Sequence, residues 1–172
     1  MGRALYRGVA LNQMPDLFLA AREVSLFEGF RDKPYLDSAS IPTIGFGCTR
    51  YPNGKAVTMD DPPITVNYAL DCLAHDLSEA AKGVWAALRL QPTLNQFSAM
   101  TSLAYNIGVG AFTSSSVCRY FNQGHVDEAA NHFLDWDKAH VDGQLVEVAG
   151  LHNRRVAERT LFLTPDTTVS AH

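Results

Sequence analysis

The chain has 172 residues, a mass of 18.9 kDa, a formal charge of −4 and a pI near 5.8. A globule of this size buries roughly 70% of its unfolded surface, so neither a disulfide scaffold nor a metal is needed to fold it. Its 47% hydrophobic and 19% charged residues exclude a disordered or low-complexity chain, and the acidic balance excludes a general nucleic-acid binder, which carries a basic stripe to meet phosphates.

Cys48, Cys72 and Cys118 are odd in number and lack CxxC spacing, so they read as reduced, half-buried thiols. The first 16 residues hold no apolar stretch of signal length and residues 17–21 are too few to span a bilayer, which points to a cytoplasmic chain without a membrane anchor. Asp16, after Pro15, is expected to cap a helix over 16–28, with Leu17, Ala20, Ala21, Val24 and Phe27 near helical spacing before Gly29 ends the pattern. Glu28 then stands at the helix C-terminus.

Residues 34–57 change to short β-prone pieces, Thr43-Ile44-Gly45-Phe46-Gly47 among them, punctuated by Pro42, Pro52, Asn53 and Gly54. They predict a small antiparallel sheet, the one β region expected. After Asp60-Asp61-Pro62-Pro63, Thr65 is expected to cap a helix running to about Leu88, long enough to join two lobes. From Thr93 the pattern predicts several helices with little β potential, broken at Gly108-Val109-Gly110, at Asn122-Gln123-Gly124 and around Asp142-Gly143. The last covers 151–163 and stops at Pro165, and a tail over 166–172 without apolar anchors is expected to be loose.

Several motifs fail on inspection. The Gly-x-Gly pairs at Gly45 and Gly108 are followed at position +5 by Arg50 and Thr113, so neither completes a dinucleotide fingerprint. His75, His125, His132, His140 and His152 form no HxxxH or HExxH, and they read as surface or helix-packing histidines. Ser114-Ser115-Ser116 lacks a nucleophile elbow. Trp85, Phe112 and Trp136 are assigned mainly to the core.

The informative stretch is Glu28-Gly29-Phe30-Arg31, then Tyr35-Leu36-Asp37, then Thr43 to Gly47. A carboxyl that ends a helix and another at the first turn of a sheet can face each other across a cleft, as glycosidic cleavage requires. The negative end of a helix and partial burial both disfavour a charged Glu28, which suits it to give a proton, whereas Asp37 in a polar turn stays ionised. On composition alone an ordinary helix-end glutamate and an ordinary turn former explain the pair better.

These residues also resemble a known family. Glu28-x8-Asp37-x5-Thr43, with Gly29, Arg31, Tyr35 and Thr43-Ile44-Gly45-x-Gly47, is similar to the catalytic signature of the phage-type lysozymes, glycoside hydrolase family 24. Leu94-Asn95-Gln96 to Ala99, Tyr105-Asn106-Ile107-Gly108 and Gly110-Ala111-Phe112 resemble its central helices. Trp136-Asp137-Lys138, Gly150-Leu151, Arg154-Arg155, Glu158 and Leu161-Phe162 resemble its C-terminal part, so the likeness runs from about Leu17 to Leu163.

The resemblance implies an α+β, mostly helical lysozyme-like fold over 1–165. A small antiparallel β lobe over about 28–66 would be joined by the long helix to a helical lobe over 67–165 that includes the N-terminal helix. It implies an N-acetylmuramidase acting on peptidoglycan, with Glu28 as general acid, Asp37 activating the attacking water, Thr43 holding it, and inversion at the anomeric carbon. Carboxyls roughly 6.5 to 9.5 Å apart would leave room for that water. Tyr105 and Asn106 match positions lining the sugar cleft, and a helix-end aromatic with a capping amide explains them about equally well. Arg154 matches an arginine that reaches the catalytic Glu, against the alternative of a side chain that packs and pairs on a helix surface.

No cofactor and no metal are implied. The expected role is a monomeric phage endolysin that waits in the host cytoplasm for a holin. A lytic transglycosylase and a silent wall-binding protein are the alternatives; the water-handling pair Asp37 and Thr43 speaks against the first, and the retention of Glu28, Asp37 and Thr43 together speaks against the second. Two departures stand out. Ser38-Ala39-Ser40 replaces a glycine often found after the catalytic Asp, and Cys48 stands where many relatives have His, which leaves Asp76 without its expected partner.

Overall fold

The computed structural model describes residues 14–37, 40–141 and 144–166. They form two compact units, 17–79 and 80–166 with 14–16.

The smaller unit opens with α1 (Phe18–Ser25), which buries Ala20, Ala21 and Val24 on one face. Leu17, not Asp16, takes the N-cap position, with Ala21 N–H donating to Leu17 O at 2.8 Å. The helix also stops short of Glu28, because Leu26 and Phe27 turn their N–H groups to Glu23 O and Val24 O, three residues back, at 3.2 and 3.0 Å. That tightening ends an α-helix.

β1 (Arg31–Leu36) and β2 (Pro42–Gly45) pair antiparallel, with Tyr35 opposite Thr43 and Leu36 opposite Pro42. β1 begins before the expected 34 and contains Pro34, which falls where the register shifts between Arg31 and Tyr35. A two-stranded sheet has only edges, so the missing N–H is tolerated there. The Gly-x-Gly after Thr43 is a tight reversal: Ile44 and Cys48 exchange both backbone bonds at 2.9 Å, and Gly45 has φ +66°. A Cβ on Gly45 would also come within 3.0 Å of Ala69 Cβ, so glycine is required twice over. The core of this unit gathers Ile44, Cys48, Tyr51, Val57 and Cys72, with Ile64 packed against it.

The boundary between the units divides α2 (Val66–Ala87). Thr65 caps it as expected, its Oγ1 accepting Tyr68 N–H at 3.2 Å. In the larger unit, Asn122 closes the other end of α2: its Oδ1 accepts Arg89 N–H at 2.6 Å and its Nδ2 donates to Ala87 O at 2.9 Å. α3 (Leu94–Ile107) starts on a capping box between Thr93 and Gln96 and packs along α7 (Ala149–Leu163). Between them come α4 (Val109–Ser114), α5 (Ser116–Asn122), α6 (Val126–Asn131) and a 3-10 turn over His132–Trp136. The core holds Phe97, Met100, Leu103, Phe112, Phe121, Phe133 and Phe162, with the Phe133 and Phe162 rings 5.3 Å apart. Phe112 is core as expected, whereas Trp85 and Trp136 are only half-buried.

Three further expectations change. A second hairpin, β3 (Lys138–Val141) with β4 (Gln144–Glu147), lies where only a helix break was read. Asp166, assigned to a loose tail, instead accepts the N–H groups of Leu94 and Asn95 at 2.7 and 2.9 Å, and Asn95 Nδ2 donates to Thr164 O at 2.9 Å. A carboxylate at a helix N-terminus meets unpaired donors and the positive end of the dipole. The rest of the tail lies outside the described residues. All three cysteines are free and fully buried, not half-buried.

Candidate active site

Glu28 sits half-buried in the bend that follows α1, three residues past its last helical residue. From there the chain passes Phe30, whose ring lies 5.3 Å from that of Phe46, and Arg31, whose guanidinium stacks over the Tyr35 ring at 4.4 Å. These contacts fix the start of the strand that leads to Asp37.

The hairpin connection is built around Asp37. Its Oδ1 accepts Ile41 N–H at 2.9 Å, its own N–H donates to Ile41 O at 3.1 Å, and its carbonyl accepts Ser40 N–H at 3.0 Å. Ser40 takes φ +60°, the left-handed conformation that a glycine would adopt without cost. The turn therefore closes through side-chain and backbone bonds of Asp37 despite lacking the glycine of many relatives.

Thr43 is 2% exposed and donates from Oγ1 to Ile41 O at 2.9 Å. Its hydroxyl hydrogen is thereby committed, and what it offers a further partner is a lone pair. Tyr35 and its register partner Thr43 share one face of the hairpin, and Asp37 follows directly on the end of β1. Leu36, exposed, takes the other face. Asp37 and Thr43 are thus joined through one residue, Ile41, whose N–H donates to the Asp37 carboxylate and whose C=O accepts from both the Thr43 hydroxyl and the Asp37 N–H.

Cys48 does not leave Asp76 alone. Its thiol donates to Arg50 O at 2.6 Å and stands within hydrogen-bonding reach of Asp76. Burial pushes the Asp76 carboxyl up, opposed by His75 and by that thiol, while burial and the Asp76 charge push Cys48 to about 12.

In the larger unit, Tyr105 is half-buried and Asn106 exposed at the end of α3. Asn106 Oδ1 accepts from Arg155 Nη1 at 3.0 Å. Arg155 and Glu158 are both 0% exposed and meet at 2.9 Å from Nη2 to Oε1 and 2.7 Å from Nε to Oε2. Glu158 Oε1 also accepts from Ser102 Oγ at 2.6 Å and from Arg154 Nε at 3.2 Å. Burial pushes Glu158 up, and Arg155, Ser102 and Arg154 pull it back. Arg154 is itself 4% exposed, so it is no surface side chain. Arg155 and Ser102 carry this network without having been singled out for it, since only the packing of α3 on α7 brings them together.

Among the described residues, Asp137, Glu147 and His152 bring potential metal-ligand atoms within 4.8 Å of one another. His152 Nδ1 already pairs with Asp137 Oδ2 at 2.9 Å and approaches Glu147 Oε1 at 3.7 Å, which makes the group an ion cluster in its own right.

The phage lysozyme family matches this chain over residues 25–158. The chain is 38% identical over 137 residues to the endolysin of Salmonella phage P22, covering 80% of this chain and 90% of that one. It is 37% identical over 141 residues to the endolysin of Bacillus phage B103, covering 82% of this chain and 51% of that one. It thus spans about half the length of such Bacillus phage relatives. Among solved structures, the endolysin of the Escherichia coli phage FAHEc1 matches with a TM-score of 0.74 at 33% identity, covering 92% of this chain and 96% of that one.

Proposed function

This chain belongs to the phage lysozyme family, and from that premise we propose that it hydrolyses the β-1,4 bond between N-acetylmuramic acid and N-acetylglucosamine in peptidoglycan. Glu28 gives its proton to the leaving glycosidic oxygen as the bond to the anomeric carbon breaks. Asp37 takes a proton from the water whose oxygen attacks that carbon from the opposite face, which inverts it. Thr43, its hydroxyl hydrogen spent on Ile41 O, accepts the water's other hydrogen. The observation that carries this reading is the hairpin turn that ties Asp37 and Thr43 to the same residue, Ile41. Tyr105 and Asn106 bind the glycan, and Arg154 supports the site.

The deciding experiment incubates purified peptidoglycan with the protein and follows the ends released. New reducing ends whose first-formed anomer is inverted support the reading, and anhydro ends would make the protein a lytic transglycosylase. In the cell we infer a monomeric endolysin that reaches the wall after a holin opens the membrane. Among the described residues no helix is long and apolar enough to cross a bilayer. Expression with and without a holin tests this step.

A further inference from the structure

Asn106 meets a guanidinium, and a guanidinium has donors only. The side-chain amide must therefore turn its oxygen toward Arg155, as the 3.0 Å bond from Nη1 to Oδ1 shows. Arg155 cannot move to suit another orientation. It is 0% exposed, and its Nη2 and Nε face the two oxygens of Glu158 at 2.9 and 2.7 Å. Glu158 is in turn held by Ser102 Oγ at 2.6 Å on α3, the helix that carries Asn106. With its oxygen occupied, Asn106 is left with an amino group, and it stands on an exposed residue.

We propose that Arg155 is a positioning residue that fixes the Asn106 amide so that it presents hydrogen-bond donors, and that Asn106 therefore recognises an acceptor oxygen of the glycan. This rests on the muramidase reading above. A swinging amide would offer donor or acceptor with equal ease and would select nothing. One held by a buried ion pair has its rotamer entropy removed before the substrate arrives.

The test measures KM and kcat for reducing-end release from soluble glycan strands, with thermal unfolding of each variant alongside. Asn106→Asp keeps an oxygen for Arg155 and removes the amino donors. Its KM should rise roughly three- to tenfold, the weight of about one hydrogen bond, with kcat within about twofold and no loss of thermal stability. Arg155→Lys keeps the charge for Glu158 but lacks the fork, and should raise KM by a similar factor. In an Asn106→Ala background Arg155→Lys should raise KM no further, which a merely structural role could not achieve. An unchanged KM in Asn106→Asp, or an equal effect of Arg155→Lys whichever residue stands at 106, overturns the proposal.

Should Arg155→Lys fail to fold, the wild-type protein decides by NMR. Titration with the glycan should shift the Asn106 side-chain NH2 signals, and unmoved signals at saturation refute the proposal. A wild-type protein that binds glycan and shifts those signals yet releases no reducing ends would sink the muramidase reading and leave the amide assignment standing.

Discussion

The Asp37 carboxylate accepts the backbone N–H of Ile41, four residues on, at 2.9 Å. The group proposed to activate water is thus also the group that closes the hairpin turn, and its orientation is set by the backbone that it helps to shape. Charge and acceptor function separate on substitution. Asp37→Asn keeps an oxygen for Ile41 N–H but cannot take a proton from water, so activity should fall by roughly 10²-fold or more while the melting temperature barely moves. Asp37→Ala should lose activity and also about 0.5–2 kcal/mol of stability, the usual weight of a side-chain cap on a backbone N–H. Reducing-end assays and thermal unfolding of the two variants check both halves, and an Asp37→Asn protein of near wild-type activity would remove Asp37 from the mechanism.

Gly83 lies about one turn before the end of α2, where an added Cβ would stand 2.4 Å from Val109 Cγ1 and 2.9 Å from its Cγ2. Alanine is the better helix former by about 1 kcal/mol, yet overpacking a close contact costs about 1–3 kcal/mol. Gly83→Ala should therefore destabilise the protein, and Val109→Ala in the same chain should recover part of the loss by making room. Denaturant unfolding of the single and double variants measures this. A stabilised Gly83→Ala would mean that α4 yields easily to α2.

The His152 imidazole is raised above its usual range by its bond to Asp137, with Glu147 adding to the effect and burial opposing it. A group raised in the folded state contributes its full stability below its unfolded value of 6.5 and loses it as pH rises through the folded value. The gap in melting temperature between wild type and His152→Gln should thus be fully open below the unfolded value of 6.5 and close as pH climbs above it. A gap of the same size across that range would show that the imidazole acts by packing and not by charge.

Much of this was readable in the residues because it is local. Thr65 before the apolar periodicity of α2, the glycines after Thr43, and the spacing of Glu28, Asp37 and Thr43 are signals carried by near neighbours. The second hairpin escaped because both strands have four residues and β4 is exposed throughout, so no buried face imposes an alternating pattern. Only the Asp142-Gly143 dipeptide, a frequent hairpin turn, could have flagged it. The bonds from Leu94 and Asn95 to Asp166 join residues some 70 positions apart, and no window along the chain contains them. The same holds for Ser102, Asn106, Arg155 and Glu158. Their residue types were visible, but a buried arginine reads as an exposed one until a second helix covers it.

Whether Glu28 delivers the proton that breaks the glycosidic bond is tested by the rate of reducing-end release from purified peptidoglycan by Glu28→Gln beside the wild type. The amide is the same size and can still accept a hydrogen bond, so the variant should unfold at nearly the wild-type temperature. Lacking a proton to give, it should be slower by roughly 10²- to 10⁴-fold. A folded Glu28→Gln protein that releases reducing ends at near the wild-type rate would show that Glu28 is not the acid.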